Sequence, residues 1–85
     1  MKKIVLEETK GFESLLGEKV ILFCANYFYT GTLEGVNETY VLLRDPSIVY
    51  ETGPWSEKGW KDSQKLHCEK LYVQLGFVES FGKSK

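Results

Sequence analysis

Gly31-Thr32-Leu33-Glu34-Gly35-Val36-Asn37-Glu38-Thr39-Tyr40-Val41-Leu42-Leu43-Arg44-Asp45 is the most informative stretch of this 85-residue chain. Its first half ends a strand that spans Tyr27 to Val36 and sets Tyr27, Tyr29, Gly31, Leu33 and Gly35 on one face. Two glycines on that face predict a sharp bend or the close approach of a neighbouring backbone. Asn37-Glu38-Thr39 reads as a tight turn, because asparagine accepts the left-handed backbone such turns use. Tyr40 to Leu43 follows as a third strand. Asp45-Pro46 interrupts or bends it, and Ser47 to Glu51 resumes it.

Upstream, Val20-Ile21-Leu22-Phe23-Cys24-Ala25 is apolar at every position, the pattern of a strand buried on both faces. Before it, Phe12, Leu15 and Leu16 fall on one side of a short helix expected over Thr9 to Leu16. Thr9 is its expected N-cap and Gly17 its left-handed stop. Downstream, residues 53–69 read as one long, variable connection rich in Gly, Pro, Ser and charge. Lys70 to Leu75 is a fourth strand, Gly76 a turn or kink, and Phe77 to Phe81 a fifth. The order predicts a mainly β fold in a single domain over residues 1–85: a short helix, then five short strands in a small, curved, partly open barrel.

Composition narrows the function classes. Twelve aromatics and many Val, Ile and Leu exclude disorder, and no apolar run is long enough to span a membrane. A net charge of −1 excludes a generically basic nucleic-acid binder. The charge is uneven, however: residues 1–52 carry −3 and residues 53–85 carry +2. Lys2 and Lys3 precede too short an apolar stretch for a secretion signal, so a cytoplasmic location is expected. Cys24 and Cys68 are expected to be free thiols, and the sequon at Asn37 to be idle.

The 31–45 stretch resembles the first motif of the Sm/LSm family: Gly, an apolar position, a second apolar position, Asp or a substitute, then a turn into an apolar strand. Its turn length is closest to the bacterial Hfq branch. Tyr72-Val73-Gln74-Leu75-Gly76-Phe77-Val78-Glu79-Ser80-Phe81 stands where the second motif lies, and the long connection falls where the family carries its largest insertions. The resemblance covers about residues 9–81 and implies a short N-terminal helix followed by a strongly bent five-stranded antiparallel sheet. It also implies a homo-oligomeric ring of five to seven copies. In such a ring the fourth strand of one subunit pairs with the fifth of the next, and Leu71, Val73, Phe77 and Phe81 are apolar enough to serve there. Closing such a ring removes exposed strand edges.

The resemblance further implies single-stranded RNA binding at two turns facing the pore. In the family one turn supplies a stacking aromatic and the other an Arg or a Lys-His pair. Here Asn37 replaces the usual Asp, Thr39 takes the aromatic's place, and Tyr40 follows one position later. Gln74 and Leu75 take the places of the Lys-His pair, just before Gly76. The pore site is therefore divergent, lacking both the cation and the stacking aromatic of the family, though Gln74 and Asn37 could hydrogen-bond a base. A second nucleic-acid candidate is the long connection, where Trp55 and Trp60 interleave with Lys58 and Lys61. The same tryptophans also suit pinning the loop to the barrel or to a neighbour. The alternative function is a structural or protein-interaction ring that does not bind RNA, and a third reading is a monomeric, peptide-binding barrel of the SH3 type.

No enzyme, cofactor or metal is expected. His67 is the only histidine, and two cysteines with one histidine fall short of a zinc set. Gly31 and Gly35 lie inside a strand, so they form no phosphate loop.

Overall fold

The computed structural model describes residues 10–85. A single helical turn, α1 (Lys10–Glu13), leads into β1 (Lys19–Cys24), β2 (Phe28–Val36) and β3 (Tyr40–Glu51). Then come β4 (Asp62–Lys65), β5 (Lys70–Gln74), a 3-10 turn at Leu75–Phe77 and β6 (Val78–Lys83). Mainly β architecture with a short N-terminal helix is as expected. The helix ends earlier than expected, loosening into turns through Leu16, consistent with the low helix propensity of Gly11. Gly17 stops it at φ +83°. Thr9, the expected cap, lies outside the described residues.

All strands pair antiparallel, in the order β4-β3-β2-β1-β6, with β5 also on β3. β3 is long enough to serve two partners. Its first part, Tyr40 to Arg44, pairs with β5, and its second, Ser47 to Glu51, pairs with β4. The division falls at Asp45-Pro46. Asp45 takes φ +50°, buried Pro46 offers no N–H, and the facing chain bulges out over residues 66–69. Two hydrogen bonds hold this bulge, Asp45 N–H to the Glu69 carbonyl and Leu66 N–H to the Pro46 carbonyl, both 2.9 Å.

Gly31 lies opposite the kink, where the β2–β3 register slips between Thr30 and Thr32. A Cβ there would meet the Arg44 carbonyl oxygen at 3.0 Å and the Pro46 Cα at 3.3 Å. The close backbone approach expected at the glycines is thus real at Gly31. At Gly35 the nearest atom, Leu42 Cβ, is at an ordinary 3.8 Å.

The core gathers Val20, Leu22, Leu33, Val41, Leu43 and Val73, roofed by Phe12 and Leu15. Ile21 and Val49 are buried as well, so β1 is enclosed on both faces, as its unbroken apolar run requires. The connection expected over residues 53–69 is interrupted by β4. Asp62–Lys65 shows four exposed polar side chains, so only its backbone pairing marks it as a strand. The expected fourth and fifth strands are β5 and β6.

The sheet does not close. Among the described residues β5 pairs only with β3 and β6 only with β1, so each leaves one edge unpaired there. Among the apolar residues expected at a subunit contact, Val73 is a core residue, Leu71 packs against the core, and Phe81 stacks on Phe12 at 3.8 Å between ring centres. Phe77 remains exposed.

Candidate nucleic-acid interface

Asn37 makes the β2–β3 turn by its side chain. Its Oδ1 accepts from the backbone N–H of Thr39 (2.7 Å) and of Tyr40 (2.9 Å), while its own N–H donates to the Tyr40 carbonyl (3.0 Å). A carboxylate would accept the same two bonds, which is why Asn substitutes for Asp here. The second turn meets the first directly: Leu75 N–H donates to the Thr39 carbonyl at 2.9 Å. Tyr40 is paired with Gln74 across the ladder, one residue before that turn.

This linkage brings Asn37, Thr39, Tyr40, Gln74 and Gly76 to one end of the sheet, all exposed. It adds a residue the sequence reading passed over. Tyr72 is 59% exposed, and its ring meets Tyr40 edge to face at 5.1 Å. The signal for it is the alternation of β5: Leu71 and Val73 face the core, so Lys70, Tyr72 and Gln74 face away. Beside the patch, a cleft of about 340 Å³ opens between β5 and the β1–β2 turn. Tyr27, Tyr29, Tyr72 and Phe77 supply flat aromatic surfaces, and Asn26 and Gln74 supply amides. The two turns themselves, residues 37–40 and 74–77, contain no Lys or Arg.

Two basic side chains of β3 and β5 share one acidic partner on β2. Lys70 donates to Glu34 at 3.0 Å, and Arg44 lies 4.0 Å from the same carboxylate. The hydrogen bond to Glu34 raises the Lys70 pKa above its ordinary value.

Trp55, Lys58, Trp60 and Lys61 are not part of this patch. They sit in the loop that follows Glu51, at the opposite end of β3. Trp55 and Trp60 meet edge to face at 5.4 Å, and Trp55 also leans on Phe23 at 6.2 Å. Between them reaches Lys85, whose Nζ lies 5.3 Å from the Trp55 ring centre and 4.7 Å from that of Trp60. Lys58 is exposed, and Lys61 pairs with Glu51 at 3.4 Å.

Among the described residues no three His, Cys, Asp or Glu side chains cluster as metal ligands would, and no helix is long and apolar enough to cross a membrane.

No family model matches the chain, and no curated protein matches it. Solved structures do. P. aerophilum SmAP1, solved as a heptamer, superposes with a TM-score of 0.73 at 12% identity, over 96% of this chain and 99% of that one. A heptameric archaeal Sm protein gives 0.67 at 13% identity, over 87% and 96%. The Pyrococcus abyssii Sm protein, solved in complex with a uridine heptamer, gives 0.64 at 14% identity, over 91% and 97%. The likeness read from residues 31–45 therefore holds across nearly the whole chain, and the fold of this protein is Sm-like.

Proposed function

We propose that this protein closes into a homo-oligomeric ring and binds single-stranded RNA at the paired turns, by stacking and amide hydrogen bonds rather than by charge. The observation that carries this is the Leu75–Thr39 hydrogen bond, which joins two exposed tyrosines, Tyr40 and Tyr72, to the amides of Asn37 and Gln74. Flat rings beside amide donors and acceptors suit a nucleobase, whose stacking on an aromatic contributes about 1–3 kcal/mol. The heptameric assembly of two structural relatives and the uridine complex of a third support the reading. So do the unpaired edges of β5 and β6, which a neighbouring copy would complete. A non-catalytic role in the cytoplasm belongs to the same proposal.

The 53–69 connection is the weaker nucleic-acid candidate, because its two indoles are already turned on each other and on Lys85. The absence of any cation in the two turns favours one second reading, a ring that contacts protein and not RNA.

Light scattering tests the assembly: a ring gives a mass several times 9.8 kDa. Titration of fluorescent oligo-U and oligo-A at low salt tests the ligand. Binding that weakens in Tyr72→Ala supports the RNA reading, and a ring that binds no homopolymer leaves the protein-contact reading.

A further inference from the structure

The loop between β3 and β4 surrounds the Lys85 ammonium with three backbone carbonyls. Lys85 Nζ donates to Thr52 at 2.7 Å, to Pro54 at 3.0 Å and to Gly59 at 2.9 Å. A protonated amine carries three N–H donors and no acceptor, so this set satisfies it. Two indole faces within about 6 Å add the attraction of an aromatic ring for a cation.

The loop holds this shape by bonds of its own. Lys61 N–H donates to the Thr52 carbonyl at 3.3 Å, and Glu57 N–H to the Pro54 carbonyl at 3.1 Å. Each carbonyl keeps a second lone pair for the ammonium. Gly53 turns the chain at φ +70°, where a Cβ would meet Lys61 Cβ at 3.0 Å. Trp55 is braced by Phe23. The loop thus supplies a preformed receptor, and Lys85 supplies the ligand.

We propose that this loop is a binding site for a primary alkylammonium group, closed in cis by Lys85 and open to an external amine that displaces it. The tripod of carbonyls sets the specificity. A quaternary ammonium has no N–H to donate, and a planar guanidinium cannot direct three donors from one nitrogen. The chemistry is shared by polyamines and by lysine side chains of a peptide.

The test uses intrinsic fluorescence, since Trp55 and Trp60 are the only tryptophans in the chain. Lys85→Ala should shift the emission with the far-UV circular dichroism unchanged. Millimolar n-butylamine should restore the emission saturably, whereas n-butanol and tetramethylammonium should not. The parent protein should need about tenfold more amine or higher, because its own lysine competes at high effective concentration. Putrescine and N-acetyl-lysine methylamide form the two source arms, and the one that restores emission at lower concentration assigns the source. Should Lys85→Ala unfold, Lys85→Met keeps the stem, removes the charge and is read in the same way. Unchanged emission on removing the ammonium overturns the proposal. So does recovery by n-butanol equal to that by n-butylamine, or no saturable response to any amine.

Discussion

Leu75 donates its backbone N–H to the carbonyl of Thr39, 36 residues earlier, at 2.9 Å, and this one bond makes a single surface of two turns distant in sequence. The geometry of each turn therefore depends on the other. Asn37 is the side chain that sets the first.

Replacing Asn37 tests that dependence. Asn37→Ala leaves the N–H groups of Thr39 and Tyr40 without their acceptor and should cost about 1 kcal/mol. Asn37→Asp retains an acceptor oxygen and should stay within about 0.5 kcal/mol of the parent. Urea midpoints at constant slope measure both. Equal losses in the two variants would mean that the turn is held by something other than the Oδ1 acceptor.

Gly31 gives a prediction about the core. The atoms nearest its missing Cβ include the Arg44 carbonyl and the Pro46 Cα, main-chain atoms of a kinked strand that cannot rotate away. Gly31→Ala should therefore destabilise by about 1–3 kcal/mol. Gly35→Ala, with its nearest neighbour at 3.8 Å, should change stability far less. The same denaturation measurement orders the two.

These residues also mark how far the fold is legible in the sequence. Gly31, Asn37 and the apolar run of β1 are readable because each is a local constraint: a missing Cβ, a turn acceptor, a strand enclosed on both sides. β4 is not readable, because Asp62–Lys65 has no apolar face and pairs through its backbone alone. Asn37, Tyr40 and Gln74 are legible as site candidates through the motif they interrupt. Tyr72 emerges only when β5 is set in register against β3, which carries its ring to Tyr40. The ammonium cage is further out of reach. It joins residues 52–60 to Lys85, and no local pattern connects them.

Salt separates the two nucleic-acid candidates. Single-strand binding through released counterions falls with log salt at a slope of about −0.7 per phosphate neutralised. The paired turns hold no Lys or Arg, so RNA bound there should show a shallow slope. Tyr72→Ala should weaken it by about tenfold, within the range for one lost stacking contact. Binding through Lys58 and Lys61 would give a steep slope and would be abolished by Lys58→Glu with Lys61→Glu. Fluorescence anisotropy across a salt series distinguishes the cases.

The two thiols should behave oppositely. Cys68 is exposed, while Cys24 is buried within the core, and burial first, then the Glu79 carboxylate, raises its pKa above the ordinary 9.0. A thiol-reactive chromogen near neutral pH should therefore modify Cys68 rapidly and Cys24 only as the fold opens. The raised pKa also fixes the sign of a pH effect. In the unfolded chain the Cys24 thiol ionises at its ordinary value, before the folded one does, so above that pH the unfolded state binds fewer protons. The stabilisation is complete below the ordinary value and is lost as pH climbs through the raised one. Cys24→Ala should flatten the alkaline decline in stability relative to the parent. Urea midpoints across about pH 8 to 10 provide the comparison. An identical decline in parent and Cys24→Ala would assign the alkaline loss to other groups.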